Sequence, residues 1–262
     1  MPAIVELRLR AERVTRTPYV PTTVQLHGLA CALFEGTFSE DHESQAKPFS
    51  IWPLTPAADG WLLRAAWLAA GFPQQVLASC GQLRVGPVFC TVTDLALDSE
   101  SFTDIADGPP GNGVRLDFRS PVYFAQNGAR VITPDPRLIV GSWRRHWNTH
   151  ADPGLRIPDE DWHTLTRSLR LTEFDLSTQR RDTGYGRTRQ GFTGTATLRL
   201  DKTAPAETRA QFTALSRYAT FTGTGAQSTH GFGATTTTLI PARPPTRTEA
   251  SAPATMAPSA ST

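Results

Sequence analysis

The chain has 262 residues, 39% hydrophobic and 19% charged, with a formal net charge of +2. This length suits one large domain or two small ones, and the apolar fraction excludes a wholly disordered polymer. No apolar run reaches membrane-spanning length, and Cys31, Cys80 and Cys90 lack the spacing of a metal site and the even count of a disulfide framework.

Ile4 to Arg10 opens as an alternating strand, with Val5, Leu7 and Leu9 against Glu6, Arg8 and Arg10. A strand at this point argues against a signal peptide and for a cytoplasmic chain. Beyond Pro21, the spacing of Leu26, Leu29, Ala30, Leu33 and Phe34 predicts a helix closed by Gly36. Phe49 to Trp52 reads as a short strand. Trp61 to Ala70 reads as helix by propensity. Phe72, Val76, Leu77 and Cys80 suggest a second helix, and Leu83 to Leu97 a strand interrupted at Gly86-Pro87. Turn residues mark Ser99 to Gly113 as a boundary loop. A second series follows: a strand over Val114–Phe124, a helix over Arg137–Trp147, and strands over Leu169–Leu176 and Gly191–Leu200. In the last of these, Phe192, Ala196, Leu198 and Leu200 share one face, with Thr193, Thr195, Thr197 and Arg199 on the other. A helix over Glu207–Tyr218 and a strand over Ala234–Ile240 complete it. Pro241 to Thr262 is rich in Pro, Ala, Ser and Thr, the composition of a disordered tail.

Between that helix and strand runs Gly223-Thr-Gly-Ala-Gln-Ser-Thr-His-Gly-Phe-Gly233. Glycines at this density let backbone N–H groups face a phosphate, although a long hairpin turn fits the residues equally well. No Gly-Lys-Ser/Thr follows, and the loop runs from helix to strand, so it is neither a Walker A loop nor a Rossmann turn. Phe221 to Gly233, together with Gly191–Leu200, Val114–Pro121 and Asp41–Ser50, occurs in an order that resembles the CRISPR-associated endoribonucleases of the RAMP superfamily, which cut precursor crRNA within its repeats. The resemblance spans about Ile4 to Ile240 and turns residues 61–70 into a strand. The fold class it implies is α+β: two tandem ferredoxin-like (RRM-like) domains with a C-terminal glycine-rich loop. The boundaries are an N-terminal domain over 1–98, a linker over 99–113, a C-terminal domain over 114–240 and a tail over 241–262.

Metal-independent RNA cleavage needs little equipment. The ribose 2′-hydroxyl attacks the adjacent phosphate and the 5′ oxygen leaves. A histidine suits the proton transfers and a fixed cation suits the developing charge. The six histidines, His27, His42, His146, His150, His163 and His230, form neither His-x-His nor His-Glu-x-x-His, so neither a metal nor another cofactor is expected. Taken alone, His42 and Lys47 are ordinary residues of a polar loop. The resemblance makes His42 the catalytic histidine and puts Lys47 near the scissile phosphate. Some family members carry a tyrosine where Cys31 stands; His27, one helical turn earlier, Cys31 itself or neither fills that role.

Expected RNA contacts are Gly223, Gly225, Gln227, Ser228, Thr229, His230, Gly231 and Gly233, in a loop that lacks the lysines common in the family. Arg187 and Arg189, with Arg180 and Arg181 nearby, offer further phosphate contacts or simply a solvated hairpin. All basic residues except Lys47 and Lys202 are arginine, a bias that a GC-rich genome explains more simply than RNA binding does. His146, Trp143 and Trp147 read as helix packing. The implied activity is an endoribonuclease acting on CRISPR repeat RNA and leaving 2′,3′-cyclic phosphate ends, with other CRISPR effector subunits as further partners and no membrane. The alternative is a non-catalytic crRNA-binding subunit of an effector complex, which would need no active-site histidine.

Overall fold

β1 (Ala3–Ala11) alternates in space as it does in sequence, with Val5, Leu7 and Leu9 inward and Glu6, Arg8 and Arg10 outward. α1 (Thr23–Phe34) starts on a reciprocal cap. The Gln25 amide donates to Thr22 Oγ1 at 3.4 Å, and Gln25 Oε1 accepts from the Thr22 amide at 2.9 Å. The computed structural model describes residues 1–12, 19–34, 47–73, 76 and 81–241. His42, Gly36, most of the helix expected around Val76 and Leu77, and the tail beyond Pro241 lie outside the described residues.

Residues 61–67 are strand, as the resemblance implied and against their helical propensity, while 68–70 lie beyond the strand's end. β4 (Gly60–Trp67) buries Trp61, Leu63 and Ala65 and turns Leu62 outward, a period of two, and pairs with β1 from Ala3↔Trp67 to Arg10↔Gly60. Eight paired positions outweigh a helical propensity worth tenths of a kcal/mol per residue. With β2 (Phe49–Ile51), β3 (Thr55–Ala57), β5 (Gln82–Val85) and β6 (Val88–Ser99), it forms a sheet of order β2-β4-β1-β6-β5, with β3 on β4.

The segment expected as a boundary loop contains a helix, α2 (Phe102–Ala106). Ser101 Oγ caps it by accepting from the Asp104 amide at 3.0 Å, and Phe102 and Ile105 are buried. Turn-rich flanks hid this short capped element. β7 (Gly111–Val122) follows, then a small hairpin of β8 (Phe124–Gln126) and β9 (Ala129–Val131). α3 (Pro136–His150) has Asp135 as its cap and Pro136 in the first turn. α4 (Asp159–Ser168), unforeseen in the sequence, carries Asp159, Glu160 and Asp161 at its positive end.

β10 (Leu169–Gly184) runs eight residues past the expected end at Leu176 and pairs with β11 (Arg187–Leu200) to the hairpin tip. Its outer half is polar, so no apolar alternation signalled it. α5 (Ala206–Thr222) and β12 (Thr235–Pro241) complete the second sheet, of order β10-β11-β7-β12. Reading β2, β4, β1 and β6 against β10, β11, β7 and β12, both halves show the same antiparallel arrangement, second-third-first-fourth strand. That is the ferredoxin-like order, present twice in tandem.

Two hydrophobic cores result, and they are not confined to their own sheets. The core of the second sheet, built on Trp143, Trp147, Phe212 and Tyr218, also takes in Ile4, Ala66 and Leu68 from the first. Buried bonds cross as well. The Tyr218 hydroxyl donates to the Leu68 carbonyl at 2.9 Å, and the Ser50 hydroxyl donates to the Phe221 carbonyl.

Candidate functional site

The glycine-rich loop begins where α5 stops. Gly223 (φ +68°) turns the chain while its N–H still bonds the Ala219 carbonyl at 2.9 Å, and Gly225, Gln227, Gly231 and Gly233 also hold positive φ. Internal bonds fix the path. Thr224 N–H donates to Gly233 O (2.8 Å), Gly233 N–H to Pro121 O (3.0 Å), Ala226 N–H to Tyr123 O (2.9 Å) and Gly225 N–H to Ser142 Oγ (3.0 Å). Trp143 Nε1 donates to Thr224 Oγ1 at 3.0 Å beneath it. The amides of His230 and Phe232 bond the Gln227 carbonyl. These amides are therefore engaged within the protein, and the loop is a braced scaffold rather than an open cradle at those positions. Gly223, Ser228, Gly231 and Gly233 are buried, whereas Gly225, Gln227, Thr229 and His230 reach the surface.

Gly225 to His230 form one wall of a cleft of about 410 Å³. Lys47, from the segment just before β2, enters the same cleft, and its side chain is 9% exposed. The opposite wall is an edge of α3: Arg145, His146, Thr149 and His150. The sequence reading assigned His146 to packing. Trp143 and Trp147 are indeed fully buried, but His146 lies on the cleft. Its proton affinity is pushed down to about 4, first by burial and then by His150 and Arg145, so it is neutral near pH 7. Burial also lowers His150. The i, i+4 spacing of these histidines beside Arg145 was the available signal.

His27 stands at the junction of α1 and the loop. Its Nδ1 is 3.1 Å from the Thr229 carbonyl, its Nε2 is 3.6 Å from Cys31 Sγ, and its ring stacks on His230 with centroids 4.0 Å apart and planes within 4°. Burial lowers His230 to about 4, with His27 and Arg189 adding to the effect. Arg189 braces the loop from the hairpin side. It donates to the Tyr123 hydroxyl at 2.6 Å and to Gln227 Oε1, and lies 5.2 Å over the Tyr123 ring. Burial raises Tyr123 despite this cation, so it remains a neutral phenol. Arg187 is exposed near the hairpin tip and does not line the cleft.

The structure thus gathers Lys47, Gln227, Ser228, Thr229 and His230 on one cleft, with His27 and Arg189 holding the loop from either side. Among the described residues, no three His, Cys, Asp or Glu side chains gather as a metal site, and no helix is long and apolar enough to cross a membrane.

Residues 116–235 match the family model described as CRISPR-associated endoribonuclease Cas6. The CRISPR-associated endoribonuclease Cas6 of Mycobacterium tuberculosis is 25% identical over 227 residues, which cover 80% of this chain and 69% of that one. A Cas6 solved as a product complex superposes with a TM-score of 0.77 at 26% identity, covering 91% of this chain and 99% of its own. The same Cas6, from Thermus thermophilus, gives 0.69 at 27% identity in another structure, covering 91% and 98%. A second Cas6 product complex gives 0.75 at 20% identity, covering 91% and 100%, a likeness of fold. Domain match, sequence relatives and folds converge: this chain is similar to the Cas6 CRISPR-associated endoribonucleases, and their family model matches it over residues 116–235.

Proposed function

We propose that the protein is a metal-independent endoribonuclease that cleaves the repeat RNA of precursor crRNA, leaving 2′,3′-cyclic phosphate ends. The observation that carries this reading is the shared cleft of Lys47 and Gln227–His230, with His27 fixed at its border. A phosphate seated there meets the Lys47 ammonium from one side and Arg145 from the other. The ribose 2′-oxygen attacks phosphorus while its proton passes to a base. The phosphorus–5′-oxygen bond breaks, and the departing oxygen gains a proton. His42, by its resemblance to the family histidine, and His27 are the candidates for these transfers. Lys47 offsets the charge that builds on the non-bridging oxygens. The partly exposed residues Gln227, Thr229 and His230 contact RNA, while the buried glycines Gly223, Gly231 and Gly233 hold the loop's course.

The test is incubation with end-labelled cognate repeat RNA in excess EDTA, followed by mapping of the product ends. Cleavage should persist and yield cyclic phosphates. A substrate with 2′-deoxyribose just upstream of the cut should bind but stay intact. Activity that is lost in EDTA and restored by a divalent ion would refute the mechanism. Tight binding without cleavage of any repeat would point to the non-catalytic crRNA-binding reading.

A further inference from the structure

We propose that the glycine-rich loop sets the tautomer and orientation of His27, with His230 as a positioning residue stacked on its ring. The inference rests on the functional reading above as far as cleavage is concerned. A carbonyl oxygen only accepts, so the 3.1 Å approach of His27 Nδ1 to Thr229 O requires a proton on Nδ1. In the neutral ring, Nε2 then carries the lone pair, and it faces the Cys31 thiol at 3.6 Å, which donates to it. Nε2 is therefore the nitrogen that takes up a proton, and Cys31 is its resting partner until a substrate hydroxyl replaces it. One bond still permits a ring to swing about its axis. The parallel His230 ring at 4.0 Å removes that freedom from one face, and Phe49 stands 6.1 Å away. His230 is itself anchored, with Nδ1 2.9 Å from Thr229 Oγ1.

The charges around the stack fit this role. His230 is met by His27 from α1 and by Arg189 from β11, with Lys47 on the same cleft. A neutral His230 lets His27 gain a proton without facing a second imidazolium. The clamp also joins distant parts of the chain, because the loop's short helical turn, Ser228–His230, packs on α1 and β2. Two elements that the sequence presents as a catalytic helix and an RNA-binding loop act as one unit.

The test reads the tautomer directly. Histidine-selective ¹⁵N labelling with long-range ¹H–¹⁵N correlation spectra, assigned through the signal lost in His27→Gln, should show His27 with protonated Nδ1 and unprotonated Nε2. His230→Ala should turn this into an averaged signal. With RNA held by saturating protein, so that any loss of affinity does not enter the rate, it should slow single-turnover cleavage about tenfold or more, as expected for a misplaced catalytic ring. His230→Phe keeps a flat ring in place and should restore both. A wild-type His27 protonated on Nε2, or a His230→Ala variant with unchanged tautomer and rate, overturns the proposal. If His230→Ala does not fold, His230→Phe decides: a lost tautomer with an intact fold overturns the stacking role. A fixed tautomer in a protein that cuts no repeat RNA would sink the functional reading and leave the clamp standing.

Discussion

Gly233→Ala probes the brace on which the site depends. Gly233 sits at φ +68°, and a methyl group there would lie 1.9 Å from Thr224 O, 2.9 Å from its carbon and 3.1 Å from its nitrogen. All three are backbone atoms and cannot rotate aside. The left-handed conformation costs a non-glycine residue about 1–3 kcal/mol. Relieving the overlap must also stretch the bonds from Thr224 N–H to Gly233 O and from Gly233 N–H to Pro121 O, each worth about 1 kcal/mol. The expected loss is about 3–5 kcal/mol. For 262 residues, at roughly 2 °C per kcal/mol, that lowers the melting midpoint by about 6–10 °C. Gly186 is the control, since it has φ +69° but nothing within 4 Å of an added methyl group. Its alanine variant should lose only the conformational part, a few degrees. Thermal unfolding followed by circular dichroism checks both. A Gly233→Ala midpoint within 2 °C of wild type, or equal shifts for the two variants, would show that the close approach carries no energetic weight.

Three further outcomes are expected. His42→Ala should slow single-turnover cleavage by about 10²–10⁴-fold with little change in affinity, whereas Lys47→Ala should slow cleavage and weaken binding as well; gel-shift and single-turnover assays separate the two. Arg189→Ala frees Gln227 and Tyr123 and removes a cation, so RNA affinity should fall and the log–log salt slope flatten by about one. His146 and His230 are held near 4 when folded, against about 6.5 when unfolded. The unfolded chain therefore binds more protons between these values, so stability should be complete above pH 6.5 and decline toward pH 4. Denaturant melts across that range should show the decline, and it should shrink in His146→Gln.

Elements governed by local periodicity were legible from the sequence. Val5, Leu7 and Leu9 announce β1, and the stripe from Leu26 to Phe34 announces α1. The run from Trp61 to Trp67 carries both periods weakly, and only its pairing with β1 decides it. The site was harder to read because its bonds join remote positions. His27 and Thr229 are 202 residues apart, and Arg189 and Tyr123 are 66 apart. No window of sequence contains either pair. The cleft-lining edge of α3 was missed for a different reason: His146 sits between Trp143 and Trp147, and its apolar neighbours masked the polar edge of that turn. Lys47 was picked out by resemblance and lies on the cleft, while His42 falls outside the described residues.

The sharing of Ile4, Ala66 and Leu68 with the second core bears on how the chain assembles. A duplicated unit commonly keeps the option of folding alone. Here the first sheet is synthesised before the second, yet Leu68, just past the end of β4, waits for the Tyr218 hydroxyl, 150 residues further along the chain. The later core, in turn, closes only onto a surface that the earlier sheet provides. Neither half can be cut free without exposing apolar side chains and stranding a buried hydroxyl or carbonyl. The two repeats therefore share part of their stability through the residues at their seam.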